Sequence, residues 1–227
     1  MTPTYGSGMP QAPARTAMID VAEAIVAERG LPAMTLREVQ SSAGQANKSA
    51  ATYHFGSRAG LIEAIIVARM GPINERRAEL VNELNRTSPA PTVQELVEIL
   101  IRPLALETIF ADHSCYARFL AQASFDPATN KIISTHLRAD TTVDVWSDLA
   151  KASGLPPHLA DWRITSALIS VVLTLSIWEG RCRSKRQAES ITVDLISTCT
   201  ATLMAPIERG LRDKDFILAE MEIDARA

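Results

Sequence analysis

The chain has few of the residues on which several classes of protein depend. Its three cysteines, Cys115, Cys182 and Cys199, are unevenly spaced and form no Cys-x-x-Cys pair, so neither a disulfide framework nor a zinc site is indicated. Only 5% of the residues are aromatic, and the 10 glycines and 12 prolines stand mostly between periodic segments. A 227-residue chain that is 47% hydrophobic with so few helix breakers is typical of an all-α protein.

Signals for membranes, secretion and catalysis are also missing. The longest uncharged apolar run, residues 164–178, is shorter than a membrane span and contains Ser and Thr. Residues 1–13 have neither a basic nor an apolar segment, and they predict a disordered arm. No nucleotide-binding, nucleophile or paired-carboxylate motif occurs, and the histidines lack metal-ligand spacing. We therefore expect a soluble, cytoplasmic protein that has no membrane contact, no catalytic residues, no metal and no cofactor.

The distribution of charge singles out one stretch. The net charge is −3 and the isoelectric point is about 5.8, unlike a protein that is basic over its whole surface. Residues 43–61 nevertheless carry Lys48 and Arg58 without any Asp or Glu, so this window is +2 and the rest of the chain is −5. An acidic chain with one basic window favours local contact with an anionic partner.

The basic window follows two predicted helices. Apolar residues recur at helical spacing over residues 15–29, and Gly30 is placed to end that helix. Thr35 and Glu38 have the spacing of a capping box, which predicts a second helix that ends at Gly44. A third helix over residues 47–53 follows after a very short glycine-containing turn, which forces the two helices to cross steeply. The pattern predicts a helix-turn-helix.

The third helix has a small side and a polar side. Ala50 and Ala51 can pack closely against the first two helices. The side chains left to point outward are polar, and they are suited to base edges or to phosphate: Asn47, Lys48, Ser49 and Thr52.

The rest of the chain predicts further helices. Ser57 is placed to cap a long fourth helix, which Gly71 and Pro72 should kink or interrupt. Thr92 and Glu95 form a second capping box. Helical patterns continue over residues 112–124, 130–153, 159–178 and 188–204, with a basic linker over residues 181–186.

The last two predicted helices are apolar on more than one face. Residues 164–178 contain no charge, and Ser166, Ser170 and Thr174 form a stripe of small residues that allows close approach of another helix. We expect these two helices to form a four-helix homodimer interface with a second copy. The alternative is that both are interior helices of a monomer.

The motifs ERG ending at residue 30, TLREV ending at 39, AG ending at 44, YHF ending at 55 and S-R-x-x-L ending at 61 together resemble the N-terminal domain of the TetR (tetracycline-repressor) family. The resemblance implies that Thr35, Tyr53, His54 and Arg58 bind phosphates and that Asn47, Lys48 and Ser49 face bases. Phe55 is expected in the core. The interval before HF is one residue longer than is usual in the family, which leaves two registers for the base-reading residues.

The resemblance also implies an organisation and a function. A disordered arm (1–13) would precede a helix-turn-helix DNA-binding domain (14–58) and a helical ligand-binding and dimerisation domain (59–227). A homodimer would bind a palindromic double-stranded DNA operator, as a repressor that an unidentified small effector releases. Phe119, Trp146 and Trp162 are candidates for the effector cavity, with plain core packing as the alternative for each. The competing hypothesis is an all-α small-molecule-binding protein or enzyme with a helix-turn-helix-like N-terminus.

Overall fold

The computed structural model describes residues 11–47, 49–137 and 141–208. Over these residues the chain is all-helical and contains no strand, so the predicted fold class is confirmed. The ten α-helices of the described residues are α1 (Gln11–Arg29), α2 (Leu36–Ser42), α3 (Ala50–Phe55), α4 (Arg58–Thr87), α5 (Val93–Glu107), α6 (Tyr116–Ala123), α7 (Pro127–Leu137), α8 (Thr141–Ser153), α9 (Pro157–Trp178) and α10 (Lys185–Met204).

Local signals in the sequence produce most of the helix ends in the N-terminal part. Gly30 ends α1 with φ of 79°, a conformation in which glycine avoids the strain of a Cβ, and a 3-10 turn (Leu31–Ala33) follows. The Thr35 hydroxyl caps α2 by accepting from the Glu38 backbone N–H at 3.1 Å. The Glu38 carboxylate accepts instead from Arg29 at 2.8 Å, so only half of the expected capping box forms. At Thr92 both halves form.

Two features of the N-terminal half differ from prediction. Helix α1 begins at Gln11, inside the arm predicted for residues 1–13, because Pro13 falls in the first turn, where its missing N–H costs no hydrogen bond. Residues 1–10 of that arm lie outside the described residues. Of the kink or interruption predicted for α4, the interruption is wrong, since the helix continues through Pro72, whose ring is exposed to solvent.

The C-terminal half also departs from the predicted boundaries. The single helix predicted over residues 130–153 is two helices, α7 and α8, and residues 138–140 between them lie outside the described part of the chain. Helix α10 begins at Lys185, inside the predicted basic linker, because the Ser184 hydroxyl caps it by accepting from Gln187 N–H at 3.2 Å.

Helix α9 is longer than its uncharged run. It begins at Pro157 and is the one described helix that is long and apolar enough to cross a membrane by length and composition alone. Helix α9 packs against α6, α8 and α10.

One continuous apolar core runs from α1 to α10. Helix α6 lies between α1 and α9, while α4 packs against α1, α5, α7 and α8. The domain boundary predicted between residues 58 and 59 falls in the first turn of α4. Helix α4 therefore contributes to the packing of both predicted domains.

Two arginines attach α4 to its neighbours. Arg69 donates to Glu23 at 2.5 Å and to Asp20 at 2.6 Å, both on α1. Burial raises the pKa of Glu23, and the hydrogen bond and charge of Arg69 act against that rise. Two turns further along, Arg77 donates to the Leu100 carbonyl of α5 at 2.9 Å. Burial lowers the pKa of Arg77 to about 10, which still leaves it protonated at neutral pH.

A buried carboxylate holds the start of α6. Glu179, at the end of α9, accepts from the backbone N–H groups of Ala117 and Arg118 at 3.0 Å each and from the Ser114 hydroxyl at 2.8 Å. Free N–H groups and the positive end of the helix dipole stabilise a negative charge at this position. The contact fixes α6 relative to α9.

The turn between α3 and α4 requires a glycine. A Cβ built on Gly60 would lie 2.2 Å from the Phe55 carbonyl oxygen, far inside van der Waals contact. Its N–H donates to the Ser57 hydroxyl that caps α4, at 3.1 Å. The backbone of α4 therefore approaches the end of α3 more closely than any other residue type permits.

We expect Gly60→Ala to lower the free energy of unfolding by about 2 kcal/mol, because the turn must open to relieve the contact with backbone. Gly71→Ala is the matched control in the same helix. A Cβ there meets nothing within 4 Å, and the gain in helix propensity is offset by the strain of a residue before proline, so we expect a change within about 0.5 kcal/mol. Chemical denaturation at one protein concentration measures both. Equal effects would contradict the close approach.

Candidate nucleic-acid interface

The contact between α2 and α3 is tight and is made by small residues. Ala50 and Ala51 are buried at the start of α3, as their size predicted. The Ala51 N–H donates to the Gln40 side chain of α2 at 3.5 Å. Gly44, in the turn, has φ of 65°. These contacts give α2, the turn and α3 the arrangement of a helix-turn-helix.

The predicted start of the third helix is wrong by three residues. The Asn47 side chain accepts from Ser49 N–H at 3.0 Å and closes a local turn, so the helix begins only at Ala50. Asn and Ser side chains can bond nearby backbone groups in this way, and such bonds compete with the hydrogen bonds of a helix. Asn47 and Ser49 are exposed in the turn before α3 instead of lying along its face, and Lys48 lies outside the described residues.

The outer side of α3 is polar and accessible. Thr52 is exposed, and Tyr53 is 72% exposed with its ring edge against the half-buried His54, at 5.2 Å between centroids. Phe55 is buried, as predicted, and the Arg15 guanidinium lies 5.5 Å from its ring centroid. The α3 surface thus presents hydroxyl and imidazole groups on a helix that is anchored from within.

Two residues predicted to bind phosphate have structural partners. The Thr35 hydroxyl accepts a capping hydrogen bond, and its own hydrogen can still be donated. Arg58 donates through Nε to the Met34 carbonyl at 3.0 Å and through Nη2 to the Leu31 carbonyl at 2.5 Å. Arg58 therefore ties α4 to the 3-10 turn, and its remaining guanidinium nitrogen is left for phosphate. The phosphate role of both residues stays a prediction.

One basic residue of this region was missed. Arg37 is exposed in the first turn of α2, two residues after Thr35. Arg37 lies before residues 43–61, the window that the distribution of charge singled out. In the sequence its positive charge is also cancelled by the neighbouring Glu38. Because Glu38 is engaged by Arg29, the charge of Arg37 faces solvent close to the predicted phosphate contacts.

A cavity of about 350 Å³ lies between α6, α7, α8 and α9. Of the three aromatic residues proposed for an effector cavity, only Trp146 lines it. Phe119 is fully buried in the core, stacked on Tyr116 at 6.0 Å between centroids. Trp162 is 49% exposed and does not line the cavity. The aliphatic wall from α9 was missed because the cavity forms only when four helices assemble.

The described residues contain no group of histidine, cysteine and carboxylate side chains that could hold a metal ion.

Cys115 belongs to the joint between α1 and α6. Burial is the main cause that raises the pKa of its thiol to about 12, and the nearby charge of Glu23 is the second. The thiol is therefore protonated at neutral pH, which disfavours reactivity as a nucleophile.

The fold and the exposed turn together define a helix-turn-helix DNA-binding protein. More specifically, residues 18–65, which contain the helix-turn-helix, match the family model of the bacterial regulatory proteins of the tetR family. Over these residues the resemblance noted in the sequence motifs is confirmed. The full sequence has no significant match among curated proteins.

Solved structures share the fold over most of their length. A TetR-family transcriptional regulator from Mesorhizobium loti MAFF303099 is 15% identical, with a TM-score of 0.50 over 86% of this chain and 98% of that one. The ketosteroid transcriptional regulator KstR2 of Mycobacterium tuberculosis is 17% identical, with a TM-score of 0.55 over 82% of this chain and 93% of that one. At these identities the similarity concerns the fold alone.

We expect Tyr53→Phe to weaken DNA binding about 5- to 10-fold without loss of stability, because it removes one hydroxyl donor from an exposed ring.

Arg58→Ala should weaken DNA binding and also lower the free energy of unfolding by about 1–2 kcal/mol, since two hydrogen bonds to carbonyls are lost. Fluorescence anisotropy and chemical denaturation measure the two effects. A fully stable Arg58→Ala protein would exclude its structural role.

Proposed function

We propose that this protein is a ligand-responsive repressor that binds a palindromic operator in the cytoplasm as a homodimer and is released by a small effector. One observation carries the proposal. An exposed polar surface that includes Asn47, Ser49, Thr52 and Tyr53 is joined through a continuous core to a helical unit that contains a cavity. A DNA-reading surface and a ligand-sized space in one folded unit are the two sites that ligand control requires.

An exposed apolar stripe on α9 supports the dimer. Only 28% of an 18-residue window of this helix is buried within the chain. Trp162, Ile169, Leu173 and Ile177 are between 38% and 54% exposed and recur at spacings of seven, four and four residues. Such spacing places them along one side of the helix. A contiguous apolar face of this kind on a soluble protein marks an interface.

Helix α10 presents a second stripe beside the first. Val193 is 51% exposed and Met204 is 56% exposed, with the small exposed residues Ser197 and Ala201 between them. Helix α9 packs directly against α10, so both stripes belong to one pair of neighbouring helices. A two-fold axis through this surface would bury both helices of each copy in a four-helix bundle.

The loop between α6 and α7 supports a connection between cavity and DNA surface. Ser124 lines the cavity, and the side chain of Phe125 borders both the cavity and a groove that contains Thr35 and Arg58. The next residue, Asp126, has its pKa lowered by the Thr129 hydroxyl and backbone, with a smaller contribution from Arg58. A ligand that moves this loop would therefore act on contacts of the DNA-binding unit.

Helix α4 offers a second connection. Arg69 fixes it to α1 and Arg77 fixes it to α5, with Gly71 and Pro72 between the two attachments. Proline removes one backbone hydrogen bond there, which makes this turn the easiest place for α4 to bend. An effector releases DNA only if it binds more tightly to the arrangement in which the two recognition helices no longer match their half-sites.

Footprinting on the DNA that flanks the protein's own gene tests the function. We expect two protected half-sites whose centres lie one helical turn, about 34–36 Å, or a multiple of it apart. Affinity should fall steeply as salt is raised, because phosphate contacts release counterions. Binding no tighter than to random DNA of equal length at modest salt would contradict the proposal.

We expect Ile177→Glu and Val193→Glu to convert the dimer into a monomer at micromolar concentration, because each places a charge within an apolar interface. Val67→Glu on α4 is the matched control, since Val67 is equally exposed but far from both stripes in sequence. Analytical ultracentrifugation measures the mass. A wild-type chain that is monomeric, or a control that dissociates equally, would rule out this interface.

A further inference from the structure

The cavity between α6 and α9 is lined almost entirely by uncharged groups. Its walls combine aliphatic and aromatic side chains with a few hydroxyl or amide groups. The lining residues are Ala121, Ser124, Phe125, Asn130, Ile133, Ser134, Trp146, Thr165, Leu168, Ile169, Val172 and Leu173. No acidic or basic side chain is among the described residues that line it.

The absence of charge in this lining limits what can enter. An ionised ligand group loses its hydration on entering the cavity, and it finds no opposite charge among the described lining residues. Apolar ligand surface, by contrast, gains about 25 cal/mol for each Å² removed from water. The lining therefore favours a neutral ligand over an ionised one of the same size.

Three of the four polar lining residues, Ser124, Asn130 and Ser134, come from the α6–α7 side, and the fourth, Thr165, belongs to α9. The Ser124 hydroxyl donates to the Leu120 carbonyl at 2.7 Å, and the Ser134 hydroxyl donates to the Asn130 side-chain oxygen at 3.3 Å. Both hydroxyl hydrogens are thus used inside the protein. The Asn130 amide N–H groups can then be donated to a ligand, which calls for an acceptor oxygen at this end.

The opposite end is aliphatic and aromatic. Trp146 of α8 faces a wall formed by Leu168 and Val172 of α9, and all three are half-buried against the core. The volume, about 350 Å³, is at the small end of ligand pockets, which run from roughly 300 to 1,000 Å³. At the packing density of a protein interior, about 0.75, it holds about 260 Å³ of ligand.

We propose that the cavity binds an uncharged, mainly hydrocarbon molecule that carries one carbonyl or hydroxyl oxygen. This oxygen accepts a hydrogen bond from the Asn130 side-chain amide. The inference rests on the proposed function in taking this cavity as the effector site. The chemistry of the ligand follows from the lining residues and is independent of the DNA sequence that the protein binds.

A matched series of ten- and eleven-carbon compounds tests the ligand class. Binding of 2-undecanone, decanoate, decylammonium and undecane to the full-length protein is measured at pH 7.5 by displacement of the neutral dye Nile red. Decanoate and decylammonium are ionised at this pH. We expect 2-undecanone to bind at least about ten-fold more tightly than either ion, because only the ions lose charge solvation without a partner.

Three variants locate the binding. Ala121→Trp fills the cavity from α6 and should abolish uptake of 2-undecanone. Ala152→Trp is the same change at an exposed position of α8 outside the cavity, and it should leave uptake unchanged. Asn130→Leu should reduce the advantage of 2-undecanone over undecane about five-fold or more, since it removes the donor. Thermal melts establish that each variant is folded.

The outcomes separate this inference from the proposed function. Equal or tighter binding of decanoate or decylammonium, or normal uptake by folded Ala121→Trp, overturns the ligand class. In a second arm, 2-undecanone is added to the complex of the protein with its footprinted DNA. Binding of the ketone without release of DNA refutes the effector role and supports the ligand class. Release of DNA by an ion alone refutes the ligand class and supports ligand control.

Discussion

The buried ion pair between Glu23 and Arg69 is the contact on which the arrangement of the two functional parts depends. Glu23 is only 2% exposed, and its carboxylate lies 2.5 Å from the Arg69 guanidinium. Burial raises the pKa of this carboxyl group, and the hydrogen bond and charge of Arg69, on another helix, oppose that rise. Removal of Arg69 would leave the buried carboxyl group without its charged partner. The pair therefore fixes the direction of α1, and with it the helix-turn-helix, relative to α4.

Helix α6 extends this constraint to the cavity. It packs against α1 on one side and α9 on the other, and the Glu179 carboxylate holds its first turn. Its last residues, including Ala121, form part of the cavity wall. A ligand that changes the position of α6 thus changes a surface shared with the DNA-binding unit. Interiors packed at this density transmit displacements, because side chains cannot absorb them by compression.

Prediction from sequence succeeded for several helix ends that are encoded within a few residues, and it failed at a competing local turn and at a cavity built by residues far apart in the chain. The capping box at Thr92 and the cap at Ser57 form as expected, since cap and partner are three residues apart. The third helix was started too early because the side chain of Asn47 closes a local turn that its helix propensity does not reveal. Phe119 and Trp162 were grouped with Trp146 by chemistry, although only the last lies at the cavity.

The sequence by itself determined the all-α class, the helix-turn-helix, the buried place of Phe55 and the polar surface before and along α3, because helical periodicity and small residues act over one or two turns. Tertiary structure alone decided the burial of Glu23, the lining of the cavity and the partners of Arg58. Arg58 bonds the carbonyl of Leu31, 27 residues earlier in the chain, and Arg69 reaches Glu23 across 46 residues. Contacts between residues this far apart leave no periodic pattern in the sequence, because they depend on how whole helices pack and not on neighbouring residues.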